Sequence, residues 1–221
     1  MYTCELTRRQ WLSDITFEVD LTRPSGLEFQ AGQNLCFHFQ KVERYYAPLS
    51  SPADPSLKLC VYLIKSGIFT PVLAKADIGT RFTFTGPHGH FLFRPSSRRP
   101  IFVATGTGVV PFMSMARSGI RGFSLLHIVP QDEELYYRSY FEGTADAYVP
   151  CIPEPDRQAE DMLAISADKA LEYLAQHLPV DAYDFYLCGN QSMIRDLTLF
   201  IDNRYPDSMV YTEVFYRSRR S

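Results

Sequence analysis

The sequence changes character across a short segment rich in Pro, Ser and Arg, residues 95–100, and this change constrains the fold most strongly. Before it, short runs rich in β-branched and aromatic residues are separated by turn formers, which predicts a small antiparallel Greek-key β-barrel. After it, short buried strands alternate with helical segments, which predicts an α/β doubly wound parallel sheet. We therefore predict two domains, residues 1–97 and 98–221, and a cofactor cleft between them.

The sequence predicts the bounds of several strands and helices. In the first half we predict strands at residues 35–39, 57–64 and 81–84, a turn at residues 86–91, and a helix that begins near Thr70. In the second half we predict strands at residues 100–104, 124–129, 147–152, 184–188 and 209–215, and helices at residues 111–117, 132–141, 168–177 and 192–203.

Composition excludes several classes of protein. The 221 residues are 46% hydrophobic and 21% charged, which is ordinary for a globular protein. No stretch approaches the ~20 apolar residues of a membrane span, and residues 1–20 lack the apolar core of a signal peptide. We therefore expect a cytoplasmic location. No basic, aromatic-rich stripe indicates nucleic-acid binding.

The cysteines and the charges limit the redox chemistry and the partner. The five cysteines are widely spaced and form no Cys-x-x-Cys pair, so we expect no disulfide framework, no zinc site and no iron–sulfur cluster. Residues 1–99 hold 12 Lys and Arg against 8 Asp and Glu, a net charge of +4, whereas the remainder holds 10 against 17, a net charge of −7. The basic first half is suited to steering an acidic partner.

Two motifs in the first half have the chemistry of a phosphate and ring site. In the segment of residues 44–52, Arg44 and Tyr46 share one face of a strand, where a guanidinium can fork onto a phosphate and a phenol can stack on a flat ring. In residues 65–70, Gly67 lets the backbone approach an anion, and Thr70 can cap the helix that it opens. Taken alone, the first motif is better explained as an edge strand with a solvated Arg and a half-buried Tyr, and the second as an ordinary capped helix.

The turn at residues 86–91 carries His88 and His90. A pair of histidines can suggest a metal, but no third ligand lies close in the sequence. We therefore interpret this turn as structural and predict no metal site.

Three motifs in the second half lie where parallel strands end. Residues 104–111 follow a strand and open a helix, as a nucleotide-binding turn does, with Pro111 in the first helical turn in place of a third glycine. Cys188 ends a strand and Gly189 begins the turn after it. Glu213 and Phe215 share a face of the last strand. Taken singly, these are also a tight turn, a buried thiol and an ordinary final strand.

The order and spacing of these motifs resemble the ferredoxin–NADP reductase superfamily over nearly the whole chain. The variant Arg-x-Tyr-x-Pro-x-Ser-Ser is closest to NADH-dependent reductases of small cytochromes. The resemblance implies flavin contacts by Arg44 on the phosphate and by Tyr46 on the isoalloxazine, and a pyrophosphate loop at residues 67–70. The flavin-site residues that we carry over are Arg44, Tyr46, Ala47, Ser50, Ser51, Lys65, Gly67, Thr70 and Phe215.

The same resemblance implies a site for the nicotinamide dinucleotide. The residues that we carry over for it are Thr105, Gly106, Thr107, Gly108, Pro111, Glu154, Cys188 and Gly189. The implied catalytic residues are Cys188 beside the nicotinamide, Glu213 near the flavin edge and Ala47 beside the reactive flavin nitrogen. Ala47 stands where relatives commonly carry Ser or Thr, so only its backbone N–H is available there. Phe215 is followed by residues 216–221, whereas some relatives end at the aromatic.

The nicotinamide preference is inferred from the charges that follow two strands. NADPH-specific relatives place a Ser-Arg pair where this chain has Pro153 and Glu154, and the loop of residues 130–134 is acidic. A carboxylate repels the additional phosphate of NADPH but accepts hydrogen bonds from a ribose hydroxyl. We therefore expect NADH to be favoured over NADPH; Arg138 and Arg157 are the basic residues that would reverse this preference.

The expected activity is transfer of a hydride from NADH or NADPH to FAD, and then of single electrons to a separate acceptor. FAD is the family default and FMN the alternative. The implied acceptors are a ferredoxin, an oxygenase component or a haem protein, and the basic first half favours an acidic one. Two alternatives remain: a free-flavin reductase, and a non-catalytic flavin electron-transfer subunit of a larger complex.

Overall fold

The computed structural model describes residues 1–153 and 162–215, and for residues 162–166 it describes the backbone alone. By its internal contacts the chain divides into two compact units. The first unit comprises residues 1–94 and 110–119, and the second comprises residues 95–109 and 120–221. In the described ranges, no helix is both long enough and apolar enough to cross a membrane.

The first unit is built on a six-stranded antiparallel sheet. Its elements are β1 (Tyr2–Trp11), β2 (Thr16–Thr22), β3 (Asn34–Phe39), β4 (Val42–Tyr46), β5 (Ser56–Tyr62), α1 (Thr70–Lys75) and β6 (Arg81–His88). The strand order is β4-β3-β6-β1-β2-β5, so β6 lies between β1 and β3, as Greek-key connections require. The predicted antiparallel architecture is therefore confirmed.

Alternating residues of this sheet form one continuous core. Phe17, Phe37 and Phe84 come from three different strands and are almost completely buried, and Phe69 joins them from the turn before α1. The rings of Phe37 and Phe84 lie 5.2 Å apart. Each large apolar side chain buried in this way stabilises the fold by roughly 1.5–3 kcal/mol. Because strands from the whole sheet surround one core, the sheet curves around it as a barrel.

The second unit is built on a five-stranded parallel sheet. Its elements are β7 (Arg99–Thr105), β8 (Ser124–Ile128), α3 (Arg138–Glu142), β9 (Ala147–Cys151), α4 (Met162–His177), β10 (Tyr183–Gly189), α5 (Gln191–Arg204) and β11 (Met209–Val214). The strand order is β11-β10-β7-β8-β9, so the chain reverses direction across the sheet between β7 and β10. Ligands of such sheets bind at the carboxyl ends of the strands, next to the point where this reversal occurs.

The two faces of the parallel sheet are covered differently. On one face, Leu174 of α4 and Leu197 of α5 belong to the same buried cluster as Phe185 and Leu187 of β10. Residues one position along the strands point to the other face, where aromatic rings stack. Phe102 lies 4.7 Å from Phe123 and 5.4 Å from Tyr186. Burial on both faces explains why the central strands β7, β8 and β10 are mostly apolar.

Some sequence predictions were wrong in extent. Strands β1 and β2 were not predicted; β1 is half exposed and its sequence is largely polar. The predicted helix at residues 132–141 is broken into a 3-10 turn, Asp132–Glu134, and the short helix α3. Tyr137 separates them because its φ is +64°, a left-handed conformation that no helix continues through. The predicted turn at residues 86–91 begins late, because β6 continues to His88 and pairs there with Asn34.

Helix α2 (Val110–Arg117) groups with the first unit rather than with the strand that precedes it. The hydroxyl of Ser114 donates to the backbone oxygen of Ser50 at 2.8 Å, and the Arg117 guanidinium pairs with Asp54 at 2.7 Å. The sequence placed one boundary between residues 97 and 98. In the structure α2 belongs to the first unit, because it is hydrogen-bonded to the loop before β5. Hydrogen bonds between such distant segments cannot be predicted from local sequence.

Gly32 and Gly26 form a matched pair for testing the packing of the first unit. Both have positive φ, +97° and +73°. A Cβ on Gly32 would lie 1.9 Å from the backbone oxygen of Phe91, whereas a Cβ on Gly26 would meet nothing within 4 Å. We expect Gly26→Ala to lower the free energy of unfolding by about 1 kcal/mol and Gly32→Ala by about 3 kcal/mol or more, since crowding adds to the strain. Urea unfolding of both variants measures this, and equal losses would contradict it.

Candidate functional site

Strand β4 presents Arg44 and Tyr46 on the face that it shares with the core residue Phe37, as the alternation predicts. Tyr46 is half-buried, and its ring lies 5.9 Å from both Phe37 and Phe69. Burial raises the pKa of Tyr46, so the phenol stays neutral. Arg44 is exposed, and its guanidinium donates to the backbone oxygen of Glu43 at 2.8 Å. A fixed aromatic ring beside a cation is suited to a flat anionic cofactor.

The segment after β4 is buried and tied down by its own hydroxyls. Ala47 is 4% exposed and Ser50 is fully buried. The Ser50 hydroxyl accepts from the backbone N–H of Lys58 at 3.2 Å, and the Ser51 hydroxyl accepts from that of Ala53 at 3.2 Å. These hydrogen bonds to the backbone give Ser50 and Ser51 a structural role. Their predicted flavin contacts, and that of Ala47, stay predictions.

The loop of residues 64–70 closes on itself. The backbone N–H of Gly67 donates to the oxygen of Ile64 at 2.8 Å. The Thr70 hydroxyl donates to the same oxygen at 3.2 Å and accepts from the N–H of Ile64 at 3.0 Å. The prediction that Thr70 caps α1 was wrong: Phe69 occupies the cap position without a side-chain bond, and the Thr70 hydroxyl is engaged by Ile64 instead. Lys65 is exposed beside this loop.

Phe69 is the residue of this region that the sequence analysis missed. It is 1% exposed and lies within 6.0 Å of Phe37, Tyr46 and Phe82, measured between ring centres. It therefore packs the predicted pyrophosphate loop and the ring-bearing residue of β4 against one core. A large apolar residue directly before a helix is the sequence signal that marks such an anchor.

In the second unit, the turns after β7 and β10 interlock at the switch point. The Thr105 hydroxyl accepts from the backbone N–H of Asn190 at 2.7 Å. A Cβ on Gly108 would lie 2.4 Å from the backbone oxygen of Cys188, and a Cβ on Gly189 would lie 2.0 Å from the Thr105 hydroxyl. Glycine is required at both positions because the opposite turn leaves no room for a Cβ atom.

Gly106 differs from these two glycines because its surroundings are open. Its φ is +50°, and a Cβ there would meet nothing within 4 Å. It begins a 3-10 turn, Gly106–Val109, that contains the half-buried Thr107 and leads into α2, where Pro111 is the second residue. Pro111 thus lies in the first helical turn, as predicted. An open, left-handed glycine at the end of a parallel strand fits the backbone approach of a dinucleotide phosphate.

Cys188 and Glu213 lie opposite each other in the register of β10 and β11. Cys188 is fully buried, and burial together with the Glu213 carboxylate raises the pKa of its thiol well above the ordinary value. The thiol is therefore a neutral, soft contact rather than a nucleophile. The half-buried Phe215 follows β11, and its backbone N–H donates to the oxygen of Gly189 at 3.0 Å. The structure thus places these three residues beside the interlocked turns.

His127 is a second residue that the sequence analysis missed. It is fully buried in β8, with Nε2 3.0 Å from the backbone oxygen of Gly106 and Nδ1 3.1 Å from the hydroxyl of Tyr148. A carbonyl only accepts, so Nε2 carries the proton and Nδ1 accepts from Tyr148. His127 thereby holds the open glycine turn. Its signal was a histidine between apolar residues of a buried strand.

The residues invoked for nicotinamide preference are only partly described. Glu154 and Arg157 lie outside the described residues. Arg138 is paired with Glu142 at 2.7 Å and with Asp132 at 3.3 Å. These carboxylates partly neutralise Arg138, so it is a weakened candidate for binding the additional phosphate of NADPH.

Comparison with known proteins agrees with this geometry. Residues 3–93 match the model of the oxidoreductase FAD-binding domain family, and residues 102–198 match that of the oxidoreductase NAD-binding domain family. The two matches cover most of the chain in series. The residues that we assigned to flavin before Phe215 fall in the first match, and those from Thr105 to Gly189 fall in the second.

Curated relatives include a reductase and an electron transfer component. Ferredoxin–NADP reductase B of Sorangium cellulosum is 33% identical over 147 residues, which are 61% of this chain and 60% of that protein. The toluate 1,2-dioxygenase electron transfer component of Pseudomonas putida is 24% identical over 90% of this chain and 63% of its own length. The chain thus spans about three fifths of these relatives.

A solved structure shows the same fold. The ferredoxin NADP+ reductase of Neisseria gonorrhoeae, with bound FAD and NADP, superposes with a TM-score of 0.72. The alignment covers 95% of this chain and 97% of that one, at 22% identity.

Protonation of His127 gives a testable pH dependence. Burial lowers its pKa from 6.5 to about 4, so below pH 6.5 the unfolded chain binds a proton that the folded chain does not. This contribution to stability is complete above pH 6.5 and is lost as the pH falls toward 4, by about 3 kcal/mol in total. Urea unfolding between pH 4 and 7 should show a shallower slope for His127→Gln. His90→Gln, at an exposed histidine, should keep the wild-type slope; if His127→Gln keeps it too, the assignment fails.

Proposed function

Because this chain belongs to the ferredoxin–NADP reductase superfamily of flavin- and nicotinamide-dependent oxidoreductases, we propose that it oxidises NADH with a bound FAD and passes the electrons to a separate acceptor. The observation that carries the proposal is the occurrence of both cofactor domains in one chain. FAD supplies the required chemistry, since a flavin accepts a hydride and releases single electrons.

The chain's own residues have binding and orienting tasks in this proposal. Arg44 binds the flavin phosphate, and Tyr46, held by Phe37 and Phe69, supports the ring system. Gly106 gives the dinucleotide phosphate access to the backbone, while His127 fixes that turn. Cys188 presents a neutral thiol to the nicotinamide, and Glu213 lies next to it. Ala47 in the first unit and Phe215 in the second are the remaining residues that the family resemblance assigns to flavin.

Support for NADH over NADPH is electrostatic. The loop after β8 carries the exposed carboxylates Asp132 and Glu133 and the buried Glu134, and the nearby Arg138 is already paired with Asp132 and Glu142. An additional phosphate would therefore meet carboxylates before it meets a free guanidinium. The acceptor in this proposal is a ferredoxin, an oxygenase component or a haem protein. The names of the relatives, an oxygenase electron transfer component among them, support an external acceptor.

Anaerobic titration of the purified protein with NADH and then NADPH, followed by flavin absorbance, tests the function. We expect rapid bleaching by NADH and slow bleaching by NADPH. Rapid bleaching by NADPH would overturn the cofactor preference and leave the reductase function intact. A yellow protein that neither cofactor bleaches would indicate an electron-transfer subunit. A colourless protein that reduces added flavin would indicate a free-flavin reductase, and one that does not would overturn the proposal.

Gly106 and Gly122 separate nucleotide binding from backbone strain. Both have positive φ, +50° and +74°, and a Cβ on either would meet nothing within 4 Å. We expect Gly106→Ala and Gly122→Ala to lower stability equally, by about 1 kcal/mol. Only Gly106→Ala should raise the KM for NADH, by about tenfold, because a methyl group would then occupy the space that the phosphate approaches. Steady-state kinetics with a one-electron dye acceptor measure this, and a matching rise in Gly122→Ala would contradict the assignment.

A further inference from the structure

Three side chains with metal-ligand chemistry converge on the outer face of the β3–β4 hairpin. Cys36 and His38 alternate with the core residue Phe37, so they point away from the core. Glu43 lies directly opposite His38 in the register of the two strands. One ligand atom from each of the three side chains lies within 4.8 Å of the other two. This face is opposite to the one that carries Arg44 and Tyr46.

The spacing of these atoms is close to that of a tetrahedral zinc site. The Nδ1 atom of His38 lies 3.4 Å from the Oε1 atom of Glu43. Ligand bonds of 2.0–2.2 Å at a tetrahedral angle place a nitrogen and an oxygen about 3.4 Å apart, and a nitrogen and a thiolate sulfur about 3.5 Å apart. The His38–Glu43 pair therefore already has the required separation. The Cys36 sulfur lies within 4.8 Å of both atoms and would move closer to them on binding an ion.

The neighbouring residues orient this set. The Nε2 atom of His38 lies 3.0 Å from the hydroxyl of Thr85 on β6, which leaves Nδ1 directed at Glu43. Such a contact on the second ring nitrogen is the usual support of a metal-binding histidine. Cys36 is 1% exposed, while His38 and Glu43 have 27% and 61% of their side chains exposed. The set thus has a buried end at Cys36 and an open end, at His38 and Glu43, through which an ion enters.

We propose that Cys36, His38 and Glu43 form a binding site for a divalent cation of the zinc class, with water as the fourth ligand. A thiolate, an imidazole and a carboxylate suit Zn²⁺, whereas Mg²⁺ and Ca²⁺ prefer oxygen ligands alone. Binding forms a zinc–sulfur bond and releases the thiol proton of Cys36 to solvent. Two anionic ligands then balance the charge of the ion. The site goes beyond the proposed reductase function and does not depend on it.

Occupancy of this site would join the two strands of the hairpin. Cys36 and His38 are on β3, and Glu43 on β4 directly precedes Arg44. A bound ion therefore fixes the strand that presents Arg44 and Tyr46. The sequence predicted no zinc site because it contains no Cys-x-x-Cys pair. The set proposed here consists of a Cys-x-His pair on one strand and a glutamate on the neighbouring strand.

Calorimetric titration of the chelator-treated, full-length protein with Zn²⁺, in the presence of a competing chelator, tests the proposal. We expect one ion per chain, and a loss of affinity of at least about tenfold in each of Cys36→Ser, His38→Gln and Glu43→Gln. Two matched controls carry the same substitutions elsewhere: Cys60→Ser in β5 and His90→Gln on the surface. Both controls should retain wild-type affinity. Absence of binding, or equal affinity in all five variants, would overturn the site.

Cobalt substitution provides a second measurement that is independent of folding yield. Co²⁺ bound through a thiolate gives a sulfur-to-metal charge-transfer band, read as a difference spectrum against the metal-free protein. The band should be present in Cys60→Ser and Glu43→Gln at saturating Co²⁺ and absent in Cys36→Ser. If Cys36→Ser does not fold, Glu43→Gln changes an exposed residue and carries the affinity test alone. A Co²⁺ spectrum without the thiolate band in the wild-type protein would overturn the role of Cys36.

Discussion

The second unit depends on close backbone contact between the ends of β7 and β10. The Thr105 hydroxyl accepts from the N–H of Asn190, and Gly108 and Gly189 allow the two turns to meet where any Cβ would collide. This contact brings Cys188, Glu213 and the open turn at Gly106 to one edge of the sheet. Parallel strands place their carboxyl ends together, so one interlock positions residues that are distant in the sequence.

The first unit uses side-chain packing for the same purpose. Phe69 and Phe37 hold the ring of Tyr46, so the strand that presents Arg44 is oriented by the aromatic core of the barrel. The opposite face of that hairpin carries the proposed zinc ligands. The β3–β4 hairpin therefore has two faces with proposed functions, one supported by apolar packing and the other by the hydrogen bond between the His38 ring and the Thr85 hydroxyl. Alternation of side chains across a strand makes both faces possible on the same few residues.

Buried polar side chains also hold the turn at Gly106, in addition to the backbone contacts. His127 remains neutral in the interior and donates to the oxygen of Gly106, and its other nitrogen is satisfied by Tyr148. A buried imidazole with both nitrogens bonded defines one geometry, because any rotation leaves a polar atom without a partner. Cys188 likewise stays a neutral thiol. The turn at Gly106, the proposed nucleotide site, is thereby held in one conformation.

The sequence by itself determined the two fold classes, the order of the motifs and the positions of Arg44, Tyr46, Gly106 and Cys188, because alternation and turn chemistry are local properties. The order and spacing of the motifs also indicated the ferredoxin–NADP reductase superfamily. Only the tertiary structure decided that α2 belongs with the first unit, that Thr70 closes a loop, that His127 supports Gly106, and that Cys36, His38 and Glu43 converge. Each of these depends on strand register or on contacts between distant segments, and neither is encoded in the spacing of residues along the chain.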